Sequence, residues 1–294
     1  MSGPSAAAAV GARWRPRPRH VRAAARHGAL VLVGLVILVP LLWIVFSSIK
    51  SLPETYRTPP TFLPREPTLE HYAFVLTSLQ ALPSYYANSV VVTGSSVLAS
   101  VLICSLAGYA FGRLDFPGRD PIFWGLIVSL FLPTSITSLF AVYELTDRVG
   151  LLDTRLGLIL PYTAGALITG TFIMRSVFMA VPGELEDAAR IDGAGAWGIF
   201  LRIMLPLGAN GVVVVTILNF INIWGEYLIA RTLTLEKART LPVGIALVQP
   251  TTTGAWHFGT VMAAYMLMFF PAFVILVLVQ RWFMKGLTEG AIKW

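Results

Sequence analysis

Asn219, Asn222 and Glu226 recur at intervals of three and four residues, so a helix carrying them sets two amides and a carboxylate on one face. They stand inside an otherwise apolar run, where a polar side chain is costly unless it faces water or a partner. Amides and a carboxylate hydrogen-bond hydroxyl groups, and Trp224 or Tyr227 beside them offers an aromatic face on which a sugar ring stacks. The same residues equally fit contacts to a neighbouring helix, or anchoring at the outer membrane interface.

A second polar cluster lies between two strongly apolar stretches, over 182–207. Pro182 suits a helix start, and Glu184, Glu186 and Asp187 put negative charge where first-turn N–H groups and the helix dipole favour it. Ala188 and Ala189 then form a bare patch that another protein surface can approach closely. Asp192-Gly193, followed by Ala194, ends the helix with a residue free to take positive φ. Ile199, Ile203 and Leu207 share a face of a second short helix, and Pro206 marks the start of the next apolar run.

Other chemistry is excluded by what is missing. A phosphate-binding loop G-x(4)-G-K-[ST] needs a lysine after glycine, and Lys50, Lys237, Lys285 and Lys293 all lack one. There is no G-x-S-x-G elbow, H-E-x-x-H helix or intramembrane carboxylate pair. The histidines show no metal spacing, and the single Cys104 in an apolar run gives neither an intrachain disulfide nor a cysteine metal site. The chain reads as a non-enzyme that binds no metal or cofactor of its own.

The elements that position both clusters are membrane spans. Of 294 residues 56% are hydrophobic and only 13% charged, and the mean hydropathy is +0.72, which marks an all-α integral membrane protein. Apolar runs predict spans over 29–49, 89–112, 121–143, 156–174, 207–230 and 261–282, with a helix lying in the interface over 71–86. Residues 1–27, rich in Ala, Pro and Arg, read as a disordered basic arm, and 28–294 as the membrane domain. Six crossings put 14 of the 22 Lys and Arg residues on one side, with both termini and 182–207, and this side is predicted to be cytosolic. That asymmetry accounts for the net charge of +7 without a nucleic acid.

Ala188-Ala189, three residues, Gly193, nine residues and Ile203-Met204-Leu205-Pro206 reproduce the spacing E-A-A-x(3)-G-x(9)-I-x-L-P, and in this the chain resembles the permeases of ABC importers. Asp187 holds the glutamate position of that pattern, with Glu186 just before it. Asp192-Gly193-Ala194, the stretch from Gly108 through Arg113 to Gly118, Gly150-Leu151-Leu152-Asp153-Thr154 and the tail over 285–294 are similar to the carbohydrate, maltose-type branch. Related permeases carry W-N-[DE] where this chain has Trp224-Gly225-Glu226, so one amide is absent.

The resemblance implies the type I permease fold, with six transmembrane helices and a cytosolic coupling helix between the fourth and fifth, in a cell inner membrane. It implies a second homologous permease, two copies of an ATP-binding subunit that hold ATP and Mg, and an extracytoplasmic sugar-binding protein. Glu184, Glu186, Asp187, Ala188, Ala189, Asp192, Gly193 and Ala194 would meet the ATPase, and Gly286, Leu287, Thr288 and Gly290 would reach into its dimer. The expected function is uptake of a di- or oligosaccharide by alternating access, with glycerol phosphate or a polyol as the alternative. A secondary transporter ranks well behind, because Glu226 is the one acid suited to ion coupling and no internal repeat is visible.

Overall fold

The structure, a computed structural model, describes residues 18–131, 137–247 and 258–291, apart from the side chains at 18–22, 24, 137 and 279–291. It is built of helices: α1 (Pro18–Ser48), α2 (Leu52–Thr55), α3 (Glu70–Ser78), α4 (Leu82–Arg113), α5 (Arg119–Ser129), α6 (Thr137–Arg148), α7 (Arg155–Met179), α8 (Glu184–Ile191), α9 (Ala196–Ile199), α10 (Leu205–Leu207), α11 (Ala209–Trp224), α12 (Leu228–Leu233), α13 (Leu241–Ala246) and α14 (Phe258–Ala291). Among the described residues the one β-type pairing is an isolated bridge between Lys50 and Pro67. Four helices are long and apolar enough to cross a membrane, α1, α4, α7 and α14. A fifth is formed if 196–207 and α11, which meet at a bend of 72°, count as one span.

Several boundaries differ from the sequence reading. Residues 18–27, expected to be disordered, continue α1 as helix, since a span already nucleated in apolar surroundings propagates outward through good helix formers such as Ala23-Ala24-Ala25. The interface helix is confined to α3, and α4 starts at Leu82 with Pro83 in its first turn. The third predicted span is two helices, α5 and α6, and the residues between them, Pro133 included, lie outside the described set. The fifth is interrupted between Trp224 and Leu228, where Gly225 caps α11.

The parallel pair α4 and α7, in register from Asn88 beside Arg155 to Arg113 beside Phe178, forms the spine. At Gly108 the backbones approach so closely that a Cβ would lie 2.5 Å from Met174 Cβ and 2.8 Å from Arg175 N. Small residues drive such approaches in lipid, where helices gain little from hydrophobic burial. Asn88 and Arg113, near the two ends of α4, are separated by about 37 Å of helix, enough to span a bilayer core.

At the Asn88 end, loops are pinned by polar side chains. Asn88 donates to the carbonyls of Lys237 and Arg239 and accepts from Arg155 Nε, each at 2.9 Å. Asp153, itself at φ 53°, accepts from the backbone N–H groups of Leu235, Glu236, Lys237 and Ala238 at 3.0–3.2 Å. Partial burial alone would raise its pKa, but these backbone bonds outweigh it and hold the carboxyl below the ordinary value. Stability from a depressed carboxyl is present above the unfolded pKa of about 3.9 and is lost as pH falls through the folded value. Asp153→Asn is therefore expected to cost about 1–2 kcal/mol at neutral pH, because an NH2 then faces the same N–H groups. Thermal unfolding of the detergent-purified protein across acid pH checks this. The difference between the two proteins should begin to shrink as pH falls past ~3.9 and vanish once the folded carboxyl is protonated, and a constant difference at every pH would contradict the role.

Candidate functional site

The central membrane-depth site lies between α7 and α11. Here Tyr162 and Thr169 of α7 and Asn219 and Asn222 of α11, with Glu226, line a cavity of about 340 Å³. Asn219 is buried and its Nδ2 has no partner, whereas Asn222 is exposed. Glu226 stands just beyond the end of α11 and accepts from Tyr162 Oη at 2.6 Å and from the N–H groups of Ile229 and Ala230 at 2.8 and 3.0 Å. Its carboxylate thus satisfies first-turn donors of α12, and the span breaks there because this acid replaces the backbone acceptors. The spacing of Asn219, Asn222 and Glu226 does bring them to one cavity.

Trp224 does not join them. It is buried among Val75, Leu82, Tyr85, Leu241, Ile245 and Ala264, stacks on Phe220 at 5.5 Å and donates Nε1–H to Met268 O at 3.1 Å. Tyr227 is exposed but lies off the cavity lining, within the break just before α12. The aromatic group in the cavity is Tyr162, from a different helix. A larger opening of about 640 Å³ between α1 and α14, lined by Trp43, Phe62, Met262 and Tyr265 among others, is apolar and offers nothing to a hydroxylated solute.

The second site is α8. Its end has the expected turn: Gly193 takes φ 82°, Gly193 N–H donates to Arg190 O and Ala194 N–H to Ala189 O, which closes the helix with two crossed bonds. The predicted residues divide between two faces. Glu186 and Ala189 turn inward, Ala189 onto a core of Tyr109, Phe178, Ile199, Phe200 and Met204. Glu186, 4% exposed, pairs with Arg113 Nε at 3.1 Å and Arg190 at 3.6 Å. The first contact is purely ionic, since Arg113 Nε–H donates to Phe178 O and Glu186 Oε1 has no hydrogen bond. Glu184, Asp187, Ala188, Asp192 and Gly193 face outward, Ala194 is half-buried, and Leu185 and Ile191 join the outward set. Gly286, Leu287, Thr288 and Gly290 continue α14 as helix, while their side chains lie outside the described residues. Among the described residues no group of His, Cys, Asp and Glu is placed to hold a metal.

A bent fifth span, a polar cavity at its break and a short helix projecting from the opposite end set the context for comparison with known proteins. The family described as "Binding-protein-dependent transport system inner membrane component" matches residues 19–289. The chain belongs to this family. The permease is 31% identical over 272 residues to the diacetylchitobiose uptake system permease protein of Streptomyces coelicolor, covering 92% of this chain and 89% of that one. It is 36% identical over 261 residues to the sulfoquinovosyl glycerol transport system permease protein of Agrobacterium fabrum, covering 87% and 89%. Its fold matches a bacterial ABC transporter involved in the import of the acidic polysaccharide alginate, with a TM-score of 0.78 at 21% identity over 92% of this chain and 99% of that one. The permease is therefore an inner-membrane component of type I permease fold, and α8 is the short helix between its fourth and fifth predicted spans.

Sequence reasoning missed Tyr162 and Thr169 in the cavity and Arg113 beneath α8. A signal existed for the first pair. Tyr162, Ala166 and Thr169 recur at helical spacing, a polar and small-residue stripe on the face that lines the cavity.

Proposed function

We propose that this permease is the membrane-spanning subunit of an ATP-driven, binding-protein-dependent importer of a saccharide, a di- or oligosaccharide. It works by alternating access beside a second, homologous permease, with two ATP-binding subunits below it and a sugar-binding protein outside. Named solutes of its relatives, diacetylchitobiose and trehalose or maltose among them, support the substrate class. The basic asymmetry supports a cytosolic location for both termini and α8.

The observation that carries the reading is the outer face of α8. Leu185, Ala188 and Ile191 form an apolar stripe at helical spacing, and Ile191 is 86% and Trp197 68% exposed on a segment outside the spans. Such side chains in water mark a surface that another protein covers. Inward, the same helix is bolted by Glu186 and Ala189 to the ends of α4 and α7, so displacement of its outer face is delivered to α7, one wall of the cavity. Closure of the ATPase dimer would draw the coupling helices together and open the cavity outward, and hydrolysis would reset it.

Ile191→Asp and Ala188→Asp are expected to place an unpaired charge in this contact, weakening it by about 1–3 kcal/mol. Both should leave the membrane helices inserted. ATPase subunits that co-purify normally, respond normally to loaded binding protein and support normal uptake in both variants would refute the docking role.

A further inference from the structure

We propose that the cavity between α7 and α11 repels anions, with Glu226 as its specificity-determining residue, so that the solute passing it is a neutral saccharide rather than a phosphorylated, sulfonated or uronic one. This rests on reading the cavity as part of the solute path. Family membership leaves the solute's charge open, since relatives are named for diacetylchitobiose, for sulfoquinovosyl glycerol and for sn-glycerol 3-phosphate.

The lining decides it. Around about 340 Å³ the described polar side chains are Tyr162, Thr169, Asn219, Asn222 and Glu226, and no Lys, Arg or His is among them. Glu226 is held by three donors, one phenol and two backbone N–H groups, which is how a carboxylate is bound; two of them belong to α12, so the charge is fixed in place. Its nearest aromatic neighbour, Tyr162, is buried and contributes no positive charge. A half-buried carboxylate with low-dielectric walls projects its field into the opening, and an anion entering it must overcome that field with no counter-charge from the described lining. The remaining groups suit hydroxyls. Asn219 is more than nine-tenths buried and its Nδ2 donor is unpartnered, waiting for an acceptor oxygen, while the side-chain amide of Asn222 donates through its NH2 and accepts through its oxygen, and the hydroxyl of Thr169 does both. Sugar hydroxyls both donate and accept, so they match such a lining where a phosphate, an acceptor only, does not.

The test is charge-selective labelling in membrane vesicles holding the assembled importer with the substitutions Cys104→Ser and Asn222→Cys. Rates with 2-(trimethylammonium)ethyl and 2-sulfonatoethyl methanethiosulfonate, a cation and an anion of similar size, are each divided by the rate on a small free thiol. The normalised cation-to-anion ratio is expected to be about tenfold or more. It should fall towards unity as salt is raised, and in Glu226→Gln, which retains an acceptor oxygen for α12. A ratio near unity in the starting protein overturns the proposal, as does a ratio unaltered by Glu226→Gln. If that variant fails to assemble, a salt-insensitive ratio in the starting protein overturns it. So does uptake of sn-glycerol 3-phosphate that depends on this chain, against maltose as the neutral comparison. Labelling requires neither ATP nor binding protein. A complex whose ATPase ignores its binding protein would sink the importer reading and still give an interpretable ratio.

Discussion

Gly108→Ala is expected to leave little folded permease in detergent extracts, while Gly94→Ala on the same helix leaves the yield unchanged. The added Cβ at Gly108 would sit 2.5 Å from Met174 Cβ and 2.8 Å from Arg175 N, whereas at Gly94 nothing lies within 4 Å. A flexible side chain could swing away, but backbone and Cβ atoms of a paired helix cannot. Relief therefore requires α4 and α7 to separate along their length, losing contacts that hold the spine together. Overpacking of this kind costs about 3 kcal/mol or more, a large part of a membrane domain's stability. Size-exclusion profiles and thermal midpoints of the two variants decide it, and equal midpoints would show that the α4–α7 crossing yields more easily than its geometry implies.

The spans α1, α4, α7 and α14 were legible because a run of about 20 apolar residues matches the thickness of a bilayer core and is rare in water-soluble domains. The short helix α8 was legible for a different reason: its boundaries are set by local chemistry, a proline and acids at the start and a glycine at the end, and Gly193 takes the φ that its lack of a side chain permits. What the sequence hid was direction. Trp224 follows Asn222 by two residues, about 200° around a helix, so the period that gathers Asn219 and Asn222 sends Trp224 into the opposite core. Tyr227 lies in the break, where the period no longer applies. The break in turn depends on Glu226 bonding Ile229, Ala230 and a tyrosine far away in sequence, and that partnership leaves no mark on either segment alone. Ala188 and Ala189 are indistinguishable in a string, yet one faces water and the other the core, because adjacent residues on a helix point about 100° apart.

Arg113→Ala is expected to uncouple the importer: ATPase subunits still bind, but hydrolysis no longer rises with loaded binding protein and uptake is lost. Arg113 fastens three elements at once. Its guanidinium donates to Phe178 O at 3.0 and 2.8 Å and also to Val181 O, closing the C-terminal end of α7, and it faces Glu186 of α8 from the last turn of α4. Truncation leaves those carbonyls open and a buried carboxylate with only Arg190 at 3.6 Å, a loss of about 3–5 kcal/mol at the joint. Glu186 must then turn towards water, and α8 loses its fixed angle to α4 while its outer face, with Leu185 and Ile191, remains available to the ATPase. Arg119→Ala serves as the control, since Arg119 pairs with Asp115 and Asp120, both exposed, and its removal should alter neither readout. The double variant Arg113→Ala/Glu186→Ala separates mechanism from simple instability. Deleting both partners removes the stranded charge, so it should be more stable than Arg113→Ala alone yet remain uncoupled, because the rigid link is still missing. Recovery of binding-protein-stimulated hydrolysis in the double variant would show that the pair serves stability alone and that force reaches the cavity by another route.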